Sequence, residues 1–222
     1  MAHAGYPSAQ LDLGSDAVVR GLSQNNGLSY ALRGDYGFDS RAYVGARAAN
    51  NRSAGDAELD FYGGYAKTLS FRRLIPYSVD IGVSASVFTG DRDGPRHQNL
   101  DYAEAYAGIS VGPAALKFSA SPDFYNEGGA GYRAAGTLKL PLTSSLQWIG
   151  VLGWNGGDGL RRYVASRRDD RRPRSYGDYS ATLVQQLPHD FSAYVQVAGA
   201  SIDIDGRAAP RVLVGVRKVF DF

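Results

Sequence analysis

Three histidines, His3, His97 and His189, are the side chains whose ordinary pKa best suits acid–base work near neutrality. None falls on an expected strand beside a serine and an aspartate or asparagine, so no nucleophilic triad is outlined. The run from Asp91 to His97 (Asp-Arg-Asp-Gly-Pro-Arg-His) has carboxylates without the spacing of a calcium loop. The glycine-rich stretch from Gly153 to Gly159 lacks the Lys-Ser/Thr of a phosphate loop and does not open a helix. Glu58 and Asp60 share one side of an expected strand, as a hydrolytic carboxylate pair would, but pairing with neighbouring cations accounts for them better. No enzyme, metal or cofactor is outlined. What remains is a cationic run: Arg161, Arg162, Arg167, Arg168, Arg171, Arg172 and Arg174 against Asp158, Asp169 and Asp170. Such a loop can draw anions to a mouth, grip the phosphates of lipopolysaccharide through guanidinium forks, or simply be a solvated charge run.

The elements that position these residues follow from composition and period. The 222 residues carry 24 basic and 22 acidic side chains, so no global field points to nucleic acid. There are 28 Gly, 15 Tyr and 9 Phe against one Met and no Cys. Gly and aromatics serve turns and interfacial girdles, whereas Met is a helical-core filler. The missing Cys excludes disulfides and thiolate metal sites together. No window holds about 18 consecutive apolar residues, which excludes a transmembrane helix. Met1 to Ala9 lacks the basic-then-apolar shape of a leader, so an export reading requires that a leader has been removed or is absent from this sequence.

Period-2 alternation runs through nearly the whole chain. Val79, Ile81, Val83, Ala85 and Val87 alternate with Asp80, Gly82, Ser84 and Ser86, and Leu59, Phe61 and Tyr65 with Glu58, Asp60 and Tyr62. A helix would spread those carboxylates around its circumference, whereas a strand puts them on one side. The pattern predicts strands near 10–21, 28–38, 41–49, 57–68, 76–89, 100–111, 114–124, 130–141, 145–155, 175–187, 191–202 and 208–222. Tight turns such as Gly112-Pro113 alternate with longer polar connections at 21–27, 49–57, 90–100, 124–130 and 156–174. Short turns at one end and long loops at the other are the outer-membrane pattern. Tyr30, Tyr36, Phe38, Trp148, Trp154 and Phe191 fall toward strand ends, where girdles belong, and a soluble sandwich would not place them so.

The expected fold is therefore all-β: a closed antiparallel transmembrane barrel of about twelve strands, an up-and-down meander with both termini periplasmic. Residues 1–9 form a tail, and 10–222 form one domain whose longest extracellular loop is 156–174. Apolar parity faces lipid, where Arg or Lys would cost about 2–4 kcal/mol at mid-depth. The opposite parity lines a nearly neutral lumen with Asp12, Asp16, Arg20, Arg33, Asp35, Arg47, Glu58, Asp60, Asp80, Glu104, Lys117, Arg133, Lys139, Asp178, Arg211 and Arg217. These residues form either a field that selects a solute or a salt-bridge mesh. The last strand alternates to Phe220 and the terminal Phe222, an outer-membrane insertion signal read by the barrel-assembly machinery, with Lys218 snorkelling at the membrane edge.

Four segments carry a family resemblance: Ser15-Asp-Ala-Val-Val-Arg-Gly-Leu-Ser-Gln24, Asp60-Phe-Tyr-Gly-Gly-Tyr65, Tyr102-Ala-Glu-Ala-Tyr106 and Ser121-Pro-Asp-Phe-Tyr125. On these the chain resembles the TorF-like porins of proteobacteria. Ala17 stands where that pattern has an aromatic, and the Arg-rich loop is an elaboration of this member. The resemblance implies an outer-membrane channel and no particular solute. Together these readings give a channel for small polar solutes or ions, biased toward anions by the Arg-rich mouth. The alternatives are a plugged structural or interaction barrel and a membrane-embedded hydrolase. Outer-membrane lipid and lipopolysaccharide are the expected surroundings, and the sequence leaves a homo-oligomer open. The Arg-rich segment contributes no strand, so its removal is expected to leave folding intact.

Overall fold

The computed structural model describes residues 6–70, 75–89, 100–166, 173–202, 204 and 206–222. The chain forms β1 (Tyr6–Gly14), β2 (Val18–Val19), β3 (Leu22–Ser23), β4 (Ser29–Gly37), β5 (Ala42–Asn50), β6 (Ala57–Leu69), β7 (Tyr77–Thr89), β8 (Tyr102–Val111), β9 (Ala114–Ser121), β10 (Gly131–Pro141), β11 (Leu146–Gly156), α1 (Asp158–Ser166), β12 (Ser175–Gln186), β13 (Phe191–Ala200) and β14 (Arg211–Asp221). Twelve strands close into one antiparallel barrel in chain order, and β2 and β3 make a separate small hairpin. Closure joins β1 to β14, from Ser8 opposite Asp221 to Gly14 opposite Gly215. Every barrel strand thus has two neighbours and no edge is left to pair with another chain.

Alternation sorts the two faces as the sequence pattern requires. Leu32, Phe61, Ile81, Val83, Leu116, Leu152, Val195 and Val214 are exposed on the outer face. So are the expected girdle residues Tyr30, Tyr36, Phe38, Trp154 and Phe191. Leaving so much apolar surface outside makes sense only where hydrocarbon covers it. Inward tyrosines lie flat on glycines of adjacent strands. A Cβ added to Gly45 would sit 2.3 Å from Tyr62, and one on Gly82 would sit 2.4 Å from Tyr106. Those glycines let the rings hug the wall instead of filling the bore.

Four expectations need correction. Tyr6 to Ala9 belong to β1 and not to a tail. The first strand does not run on to residue 21. It ends at Gly14, and Arg20 and Gly21, with φ of 52° and 78°, form the two-residue turn between β2 and β3. Two successive positive φ values are the signature of the tight hairpin turn, which favours Gly second. Finally, residues 156–174 are not simply an irregular loop, because α1 occupies half of them. The connection between β13 and β14 is also longer than the expected 203–207, because β13 ends at Ala200 and β14 begins at Arg211.

Candidate functional site

Wall charges inside the barrel are mostly paired between neighbouring strands. Arg217 Nε donates to Asp12 at 2.6 Å across the β1–β14 seam. On β4, Arg33 donates to both carboxylate oxygens of Asp35 at 2.7 and 2.9 Å. Arg47 on β5 donates to Asp60 at 2.8 Å and lies 3.9 Å from Glu58. Asp80 accepts from Tyr43, whose hydroxyl also meets that of Tyr106 at 2.6 Å. Lys117 sits 3.7 Å over the Tyr106 ring. Arg133 forks onto Asp178, which Asn155 also reaches at 2.7 Å. Lys139 is exposed near the short-turn end of β10. The predicted lumen residues on strands all fall on the inward parity.

Asp16 and Arg20 also face inward, but from a loop. After β1 the chain folds back into the bore, held by Asp16. One carboxylate oxygen accepts the backbone N–H groups of Ala17 and Asn25, at 2.8 and 3.2 Å, and the other accepts Ser23 and Arg211, at 2.6 and 3.2 Å. Asn25, Asn50, Asn51 and Glu58 extend the anchorage to the next connection. At the hairpin tip, Arg20 donates to Glu104 at 2.6 Å, on β8 at the far side of the barrel. Its guanidinium also lies 5.0 Å from the Phe124 ring centre. Burial opposes the charge on Arg20, but Glu104 holds the guanidinium above its ordinary pKa. Beside it, Gly21 packs so closely on β13 that a Cβ would lie 2.5 Å from the Gly199 carbonyl. The hairpin spans the lumen from wall to wall.

Above it the long connections converge on a small apolar core. Leu22, Phe88, Leu100, Phe124, Leu160, Tyr163, Val164, Tyr176, Ile202, Ile204 and Ala208 form one buried cluster. Leu160, Tyr163 and Val164 share one face of α1 at helical spacing, and Tyr125 stacks on Tyr163 with ring centres 4.5 Å apart. Burial pushes the Tyr125 phenol well above its ordinary pKa. Arg161 lies 3.7 Å from Asp158, and Arg162 donates to the Glu127 and Gly128 carbonyls. Arg174 is exposed. Arg167, Arg168, Arg171 and Arg172 lie outside the described residues, as do His3 and His97. The cap was missed in the sequence, although the i, i+3, i+4 spacing of Leu160, Tyr163 and Val164 was its signal.

Beneath the hairpin a cavity of about 420 Å³ runs along one side of the lumen, lined by the contiguous strands β11 to β14, β1, β4 and β5. Among the described residues no group of three or more metal-ligating side chains occurs. At the short-turn end, Lys218 reaches His189 O and Asp190 and lies 5.2 Å from the Phe220 ring centre, as a snorkelling side chain does. Phe222 is 82% exposed beside the same rim.

A family model described as a bacterial protein of unknown function, Gcw_chp, matches residues 3–219. No curated protein matches the chain. Among solved structures, the fold is similar to the NanC porin, with a TM-score of 0.61, 10% identity, and 95% of this chain and 98% of that one covered. It is similar also to the KdgM porin in complex with disordered oligogalacturonate, with a TM-score of 0.58, 12% identity, and coverage of 98% and 99%. An outer membrane channel from Pseudomonas putida F1 aligns with a TM-score of 0.50, 13% identity, and coverage of 100% and 97%. At these identities the likeness is one of fold.

Proposed function

The chain belongs to the Gcw_chp family of bacterial proteins of unknown function, and we propose that it is an outer-membrane channel for small polar solutes, narrowed from inside by the β2–β3 hairpin. One observation carries this reading: a closed barrel, apolar outside, encloses a polar, charge-paired lumen with open space along one wall. Its fold neighbours are porins and a channel, which supports the same conclusion. In this reading the short turns and both termini face the periplasm, and the capped end faces outward. Three of the four sequence segments singled out above meet at the hairpin: Arg20 comes from the first, Glu104 from the third and Phe124 from the fourth. In this reading the Arg-rich 156–174 segment at the capped end biases the channel toward anions, and Arg33 and Arg217, each paired with a wall carboxylate, continue the cationic lining along the cavity.

Reconstitution in planar bilayers tests the function. Small stepwise conductances are expected, with a reversal potential across a KCl gradient that leans toward anions at 0.1 M salt. The lean should weaken at 1 M, where screening shortens from about 10 to about 3 Å. The cap favours a second reading, a sealed structural or interaction barrel, and a silent bilayer would establish it. Localisation has its own test. Deleting Phe222 should sharply lower the amount of protein in outer membranes, because this aromatic just after β14 would serve assembly while making little contact in the folded barrel. Unchanged membrane levels would remove Phe220 and Phe222 from that role.

A further inference from the structure

The cavity below the hairpin is asymmetric in a way that the channel reading does not require. On one wall it meets three guanidinium groups, Arg33, Arg47 and Arg217. Along β13, β12 and β11, which continue the wall from β14, it meets Ser180, Thr182 and Gln196, with no charged side chain from those three strands among its lining residues. Each arginine has a carboxylate partner, Asp35 for Arg33, Asp60 for Arg47 and Asp12 for Arg217, but none takes up all of the guanidinium donors. Asp16 spends both oxygens on the four donors that fold the hairpin. Asp12 receives Arg217 through Nε alone. A guanidinium carries five N–H donors, so this pairing leaves Arg217 well supplied. Arg33 and Arg217 have side chains 44% and 42% exposed, and each is steadied by its wall carboxylate. Fixed forks with donors to spare suit carboxylate recognition, because little side-chain freedom is lost on binding. On β13, next to β14, Gln196 already donates to Thr182 Oγ1 of β12 at 3.0 Å, which fixes a hydroxyl and an amide oxygen toward the space. Those groups suit hydroxyls and offer nothing to a second charge.

We propose that this cavity is a binding site for small polyhydroxylated carboxylates, with Arg33 and Arg217 taking the carboxylate and Thr182 and Gln196 taking hydroxyls. The proposal rests on the channel reading for the route of the solute but not for its binding, so the two fail separately. Titration calorimetry on the purified protein in detergent, at low salt, compares glucuronate, acetate and glucose. Glucuronate should bind about tenfold more tightly than either, since each probe lacking one half of the chemistry forgoes at least one charged or several neutral hydrogen bonds. Arg33→Gln with Arg217→Gln should bring glucuronate down to glucose. Should that pair disturb folding, Thr182→Val with Gln196→Leu changes no charge and should bring glucuronate down to acetate. Equal affinity for glucuronate and acetate, or for glucuronate and glucose, would overturn the proposal. So would glucuronate binding that both double substitutions leave intact. A conducting barrel without the preference defeats this site alone, and a silent barrel that binds glucuronate defeats the channel alone.

Discussion

Glu104→Ala is expected to raise single-channel conductance several-fold. Arg20 and Glu104 are nearly buried, with side chains 10% and 11% exposed, and their contact joins the hairpin tip to the far wall. Removing one partner of a buried pair costs about 3–5 kcal/mol, because the remaining charge is left without a counter-ion away from water. The tip has a cheaper alternative to that penalty, which is to swing Arg20 toward the aqueous lumen. The base stays anchored by Asp16, so the hairpin loosens without unfolding. Replacing both residues by Met gives the contrast: an apolar pair of similar volume leaves no orphan charge and should hold the tip near its place with parental conductance. Bilayer recordings of the three proteins decide it. If Glu104→Ala conducts like the parent, the hairpin is not what narrows the bore.

Val164→Asp should dismantle the cap and spare the barrel. Val164 is 0% exposed in the middle of the apolar cluster, with Leu160 at 2% on the same face of α1. An unpaired carboxylate there loses its hydration without gaining a partner, a penalty of several kcal/mol. That is more than a cluster of eleven buried side chains, assembled from separate connections, can absorb at one position. The barrel does not share the loss, since its closure depends on strand pairing from β1 round to β14. Far-UV circular dichroism and heat-modifiable gel mobility should therefore be unchanged, while limited proteolysis should cut within 158–166 faster than in the parent, where α1 packs on the cluster. Deleting 161–174 should likewise undo the cap while the circular dichroism and gel mobility of the barrel persist, because Tyr163 and Val164 leave with it. The sequence alone made that segment look dispensable. Loss of the barrel, or unchanged resistance to protease, would show that cap and wall are not separable.

Strand number, parity, the outward girdle and the inward charges were all legible in the sequence, and for one reason. In a barrel each residue's face is set by a period of two within its own strand, so local pattern alone sorts lipid from lumen. Asp80 faces in and Ile81 faces out because hydrocarbon would punish the reverse. Pairings such as Asp12 with Arg217 needed only the meander order and its closure. The hairpin and the cap obey no such period. Val18, Val19 and Leu22 read as apolar strand residues continuing β1, and only the Asp16 staple and two positive φ angles turn them into the bore. Arg20 and Glu104 lie 84 residues apart, and Leu22, Phe88, Phe124, Val164 and Ile204 come from five separate stretches of chain. Their contacts depend on where six connections meet above the wall, which is geometry fixed by closure and not by local pattern. The sequence by itself determined a barrel with a charged interior. Tertiary structure decided that its long-connection end carries a packed cap, and that the open space lies along one side of the lumen.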